Sequence, residues 1–179
     1  FGIGVAGTSG KSTVTGMIAT IFDSEGLKPT VMNGGRVKNL ENDCSSAVFG
    51  SCLLGTNDIF ISEMDESDGS IELYTPDIAV LNNIALDHKP IEELKDLFSS
   101  FLNKARKGCV VNLEDENLKR LLPSLKGNIT TYGIEKTEAD FNATELTFHR
   151  DGVDFKVNGE CVSLSAVGKH NVLNALAAI

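Results

Sequence analysis

"GVAGTSGKST", residues 4–13, packs three glycines, one lysine and four hydroxyl side chains into ten positions. Glycine loses more backbone freedom on folding than any other residue, so such a cluster belongs where the chain turns tightly or approaches another group closely. Residues 1–6 are apolar and predict a short buried strand. Beyond the cluster, Val14, Met17, Ile18, Ile21 and Phe22 recur at helical spacing through residues 12–27, with Gly26 as the stop. A glycine loop between strand and helix leaves backbone N–H groups free at the positive end of the helix dipole, which attracts an anion. Lys11 adds a mobile positive charge, and the Ser12 hydroxyl is of the kind that reaches magnesium in nucleotide-triphosphate loops. The expectation is that Gly7, Thr8, Ser9, Gly10, Lys11, Ser12 and Thr13 cradle a phosphate chain. The usual spacing has a further glycine five residues ahead of Gly10, where this chain carries Val5. The plain alternative is a glycine-rich turn beside a chance lysine.

The 179 residues suit one domain with a small appended lobe, and 41% hydrophobic residues are enough for a core. A net charge of −9 argues against a broad nucleic-acid surface, so phosphate binding must be local. Cys44, Cys52, Cys109 and Cys161 lack C-x-x-C spacing and predict free thiols in a reducing, cytoplasmic compartment. No apolar stretch is long enough for a membrane helix, and no secretory signal appears. The chain starts on a predicted strand at Phe1 and stops within an apolar helical pattern, 172–179, which predicts a fragment of a longer protein.

Strand-like and helical runs alternate up to Tyr132. Strands are predicted at 30–32, 59–62, 78–81, 109–111 and 129–132. Pro90 opens a helix whose apolar face carries Ile91, Leu94, Leu97, Phe98, Phe101 and Leu102, with Gly108 as its stop. A short helix at 116–122 is stopped by Pro123. This alternation predicts an α/β fold of P-loop type: a mostly parallel sheet with helices on both faces. From residue 140 to 165 the texture becomes alternating, with hairpin turns at Asp151-Gly152 and Asn158-Gly159, which predicts a small antiparallel piece near the C-terminus.

Ligands of an open parallel sheet gather at the carboxyl ends of its strands. After residues 59–62 comes "EMDESDG", where Glu63, first out of the predicted strand, is a candidate magnesium ligand; an acidic solvated turn is the alternative. After residues 78–81 comes "NNIALDHKP". His88 is a candidate metal ligand oriented by Asp87, or else a helix-start residue without a ligand. At the start of the last helix, "GKHNVLN" offers Asn171, whose amide can pair with an adenine edge or simply complete the helix start. His149 is given no role.

Five segments in order, "GTSGKST", "PTVMNGGRVKN", "SEMDESDGS", "NNIALDH" and "GKHNVLNALAA", make essentially the whole chain resemble the Mur ligases. These are ATP-dependent amide-forming enzymes of peptidoglycan precursor synthesis. The likeness is to their central ATP-binding domain and is closest to the branch that adds L-alanine to UDP-N-acetylmuramate. Four positions depart from that branch, which usually has His at position 9, Thr at 12 and Met-Asp in place of Lys89-Pro90.

The resemblance implies that residues 1–179 are the central domain, without the N-terminal UDP-binding and C-terminal ligase domains of the family. It implies ATP on residues 7–13, with Lys11 on the outer phosphates and Ser12 and Glu63 on Mg2+. His88 would hold a second Mg2+ near the substrate carboxylate. Lys11, Glu63 and His88 are thus the implied catalytic residues. Asp65, Glu66 and Asp68 would shape the acceptor side, and Asn171 and Asn174, with His170, would face adenine. Partners implied are a UDP-linked muramic acid and an amino acid, joined through an acyl phosphate. A Mur-type ligase with another acceptor or amino acid (murein tripeptide or folylpolyglutamate type), and a P-loop nucleotide-binding module without ligase activity, stay open as alternatives.

Overall fold

The computed structural model describes residues 1–40, 47–49, 51–86 and 89–179, with side chains undescribed at positions 39 and 47–49. Three predicted features therefore lie outside the described residues: Cys44, Asp87 and the candidate ligand His88.

The strands are β1 (Gly2–Ala6), β2 (Thr30–Met32), β3 (Ala47–Phe49), β4 (Cys52–Leu53), β5 (Phe60–Glu63), β6 (Ile78–Leu81), β7 (Gly108–Asn112), β8 (Ile129–Ile134), β9 (Phe141–Phe148), β10 (Val153–Val157) and β11 (Glu160–Leu164). The helices are α1 (Lys11–Ser24), α2 (Ile91–Asn103), α3 (Glu116–Leu121) and α4 (Lys169–Ala178). Among the described residues the strands form one sheet in the order β11-β10-β9-β8-β7-β6-β1-β5-β2-β4-β3. Neighbours from β2 to β9 run parallel. Both margins are antiparallel, β9-β10-β11 on one side and β2-β4-β3 on the other.

The parallel strands read as unbroken apolar runs because both faces are covered. Side chains alternate across a strand. On β6, Val80 enters a core with Val14 and Ile18 of α1 and Val172 and Leu176 of α4. Its neighbours Ala79 and Leu81 face the other way, into a second core with Leu94, Phe98, Phe101 and Leu102 of α2 and Leu118 of α3. Each fully buried Phe or Leu contributes about 1.5–3 kcal/mol relative to exposure. No helix among the described residues is long and apolar enough to cross a membrane.

Several boundaries differ from the sequence reading. Glu63 closes β5 instead of following it, because its backbone pairs with Val5 of β1. Gly108 does not stop α2, which ends at Asn103; it opens β7, where its N–H joins Asp77 O. Pro90 caps α2 from just outside its first turn. The antiparallel piece expected over 140–165 is present as β9-β10-β11, and β9 joins it to the main sheet by pairing in parallel with β8. The antiparallel margin β2-β4-β3 is absent from the sequence reading: β4 has only two residues, too few to show a period. Cys52, Cys109 and Cys161 are free thiols, and burial raises the Cys109 thiol to about 11.

Candidate nucleotide site

The loop of residues 7–10 joins the end of β1 to α1, and Gly10 occupies the left-handed region, φ 80°, with no side chain capping the helix. A Cβ on Gly10 would lie 2.5 Å from Asn82 Nδ2 and 2.7 Å from Asn174 Oδ1, so both conformation and space require glycine. The candidate phosphate residues line one cleft of about 260 Å3: Thr8, Ser9, Gly10, Lys11, Ser12 and Thr13, with Glu63 opposite.

Glu63 reaches that cleft because β5 is the neighbour of β1. Ser12 Oγ donates to Glu63 Oε2 at 2.7 Å, and Gly34 N–H, in the turn after β2, donates to the same oxygen at 2.7 Å. A hydroxyl and a carboxylate are hard oxygen donors. Mg2+ takes one or two such protein groups and completes its octahedron with water and phosphate oxygens. The donor set fits that ion. Among the described residues no group of three or more His, Cys, Asp or Glu is placed to hold a metal. A cation at this point needs its remaining ligands from outside that set.

Lys11 Nζ folds back over the loop. It donates to Gly7 O at 2.8 Å and to both carboxylate oxygens of Glu66 at 3.0 Å. Glu66 is thus tied to the lysine of the phosphate loop. The other two acids of the same turn serve it locally: Asp65 Oδ1 accepts from Ser67 N–H and Asp68 Oδ1 from Ser70 N–H, both at 2.8 Å. Hydrogen bonding from the Ser67 backbone and side chain lowers the Asp65 carboxyl below the usual carboxylate range, and that from the Ser70 side chain and then its backbone lowers Asp68.

Beside the loop opens a second cavity, of about 670 Å3, lined by Ser9, Gly10, Asn82, His170, Asn171 and Asn174 among others. All three residues expected to face adenine line it. Asn174 is buried and donates to Asn171 Oδ1 at 3.2 Å, while Asn171 Nδ2 donates to Val167 O at 2.9 Å. Asn171 thereby ties the segment before α4 to the helix.

The sequence reading gives no role to Asn82 and Asn83, yet these two hold the loop. Asn83 Oδ1 accepts from Thr8 Oγ1 and Ser9 N–H, both at 2.8 Å, and Asn83 Nδ2 donates to Ser9 O at 2.9 Å. Asn82 Nδ2 donates to Ser9 O at 3.1 Å and to Asn174 Oδ1 at 2.8 Å. Asn82 Oδ1 accepts from the fully buried Tyr132 hydroxyl at 2.8 Å, and burial drives that phenol's pKa up. The available signal was a pair of amides directly after the apolar β6, at the carboxyl edge where the loop also lies.

Comparison with known proteins identifies the family and the fold. The profile of the Mur ligase middle domain matches residues 5–179. The UDP-N-acetylmuramate–L-alanine ligase of Geobacter sp. (strain M21) is 40% identical over 190 residues, covering 100% of this chain and 39% of the relative. The crystal structure of a UDP-N-acetylmuramate-alanine ligase from Thermotoga maritima superposes with a TM-score of 0.79 at 27% identity, over 100% of this chain and 40% of that one. A murein peptide ligase from Psychrobacter arcticus gives 0.81 at 25% identity, over 99% of this chain and 42% of that one. The chain spans about two fifths of the length of the curated relatives it matches. On a profile match over nearly its full length, the chain belongs to the Mur ligase middle-domain family.

Proposed function

We propose that this chain is the ATP-binding unit of an ATP-dependent carboxylate–amine ligase that joins L-alanine to UDP-N-acetylmuramate in the cytoplasm. It would work between an N-terminal UDP-binding domain and a C-terminal ligase domain. The observation that carries the reading is the 2.7 Å bond between Ser12 Oγ and Glu63 Oε2 at the mouth of the glycine loop. It pairs a hydroxyl and an acid from separate elements at the mouth of the loop, which supports a cation of a nucleotide triphosphate being held between them. The alanine acceptor rests on the relative at 40% identity. A murein peptide acceptor is the second reading, suggested by the likeness to the murein peptide ligase of Psychrobacter arcticus at 25% identity.

Each group then has a task. The backbone of residues 7–13 receives the phosphate chain at the α1 N-terminus. Lys11 neutralises charge on the outer phosphates, and Ser12 with Glu63 would hold Mg2+, which would supply Lewis-acid stabilisation of phosphate charge. His170, Asn171 and Asn174 face the base. Asp65 and Asp68 are assigned to the acceptor, Glu66 sits on Lys11 of the phosphate loop, and His88 would hold a second Mg2+. Activation of a carboxylate by phosphorylation replaces a poor leaving oxygen with phosphate, which an incoming amine displaces.

Equilibrium binding tests the reading. The chain should bind ATP in preference to GTP and only with Mg2+, and Lys11→Ala should weaken binding at least about tenfold, as expected for a lost charged hydrogen bond. Guanine preference, or unchanged binding in Lys11→Ala, overturns it. Phosphate release with UDP-N-acetylmuramate, comparing L-alanine with other amino acids, tests the acceptor pair.

A further inference from the structure

We propose that Glu66 is a charge filter on the phosphate loop: it occupies Lys11 so that only a polyphosphate, and not a simple monoanion, claims the ammonium group. The inference rests on the reading of residues 7–13 as a phosphate site.

A lysine ammonium has three N–H donors and no acceptor. In Lys11 all three are matched, by Gly7 O at 2.8 Å and by the two oxygens of Glu66 at 3.0 Å. The pair is sheltered, with the Lys11 side chain 17% exposed and that of Glu66 8%. Water therefore screens it poorly, and an anion that reaches Lys11 must take over at least one of these bonds. A chloride, a carboxylate or a monoanionic phosphate brings no more charge than the carboxylate already in place. A pyrophosphate or triphosphate group brings several charges and can share the ammonium with Glu66. The acid is also held in place. It follows Asp65, whose carboxylate accepts from Ser67 N–H and closes the turn around it. Neither Asp65 nor Asp68 could substitute, since both carboxylates are engaged by backbone N–H groups of their own turn.

The filter makes a prediction opposite to that for a residue that merely props up Lys11. Glu66→Gln keeps the shape but removes the competing charge. Calorimetric titration should show inorganic pyrophosphate and Mg-ATP binding about tenfold tighter to Glu66→Gln, the scale of one charged hydrogen bond, with adenosine binding unchanged. The gain should vanish in the Lys11→Ala/Glu66→Gln double variant. Orthophosphate and acetate should fail to compete with ATP on the unaltered chain and should compete on Glu66→Gln. Unchanged or weaker pyrophosphate binding in Glu66→Gln overturns the filter. If Glu66→Gln does not fold, Glu66→Ala is read in the same way. Competition by orthophosphate as effective as by pyrophosphate on the unaltered chain also overturns it, without any variant. If the unaltered chain binds ATP through Lys11 but Glu66→Gln gains nothing, only the filter falls. If Lys11→Ala changes nothing, the phosphate-site reading falls with it.

Discussion

Asn82, at the end of β6, donates a 2.8 Å hydrogen bond to Asn174 of α4, 92 residues further along the chain. The same amide nitrogen holds Ser9 O in the phosphate loop, and its oxygen is anchored by Tyr132 in the core. One buried side chain therefore fixes the loop, the helix beside it and their common distance from the sheet. Asn82→Ala should leave the Tyr132 hydroxyl and Asn174 Oδ1 unpartnered and cost about 1–3 kcal/mol of stability. Urea unfolding measures that, and a loss well under 1 kcal/mol would show that water replaces the amide.

Gly10→Ala tests the closeness of the loop to these two amides. The substitution adds a methyl group at a left-handed φ of 80°, within 2.7 Å of both Asn82 Nδ2 and Asn174 Oδ1. ATP binding should fall by at least about tenfold, since the strain of a non-glycine residue there is on the order of 1–3 kcal/mol. Unimpaired binding, measured by calorimetry, would mean that the loop relaxes freely.

Ser12 and Glu63 should act on the metal before they act on the nucleotide. Ser12→Ala and Glu63→Gln are expected to raise the Mg2+ concentration needed for half-maximal ATP binding, Glu63→Gln more because it removes the only full charge of the pair. Magnesium titrations at fixed ATP give the result directly. An equal loss at every Mg2+ concentration would argue that the two residues shape the cleft without holding the ion.

Acid should destabilise the fold through Asp77. Its carboxylate accepts from Gly2 N–H at 2.8 Å and faces Arg106 at 3.3 Å. The Gly2 bond first, and the nearby positive charges next, hold its pKa below the ordinary 3.8. A depressed carboxylate stabilises the fold fully above its unfolded value, and that contribution is lost as pH falls through the lower folded value. Stability should therefore drop below about pH 4, and Asp77→Asn should reduce both the stability at pH 7 and the steepness of that drop. Thermal melts from pH 2 to 7 compare the two proteins.

Much of the parallel part of the sheet and the loop could be read from the chain because their signals are local. The apolar run of residues 1–6, the glycines and the spacing of Val14 and Ile18 lie within one stretch, and β1 and α1 follow. Glu63 could be picked out because an acid follows an apolar strand, although its backbone pairing with Val5 could not. The Lys11–Glu66 pair spans 55 residues, and its geometry depends on β5 lying beside β1. No periodicity encodes that adjacency. Asn82 escaped for the same reason, since an amide in sequence shows neither its donors' directions nor the helix that will meet it.

The last hairpin occupies a quiet corner of this architecture. Asn158, φ 49°, and Gly159, φ 95°, form its exposed tip between β10 and β11. The far end of β11, at Val162 and Leu164, shares a cavity with Ser12 and Thr13, so the tip stands clear of the loop along the strands and not across the sheet. Because β10 runs antiparallel to β9, its tip emerges at the opposite end of the sheet from the glycine loop. A fluorescent label or small peptide tag grafted between these two residues would report on the molecule from a distance, without touching the cleft whose occupancy it is used to follow.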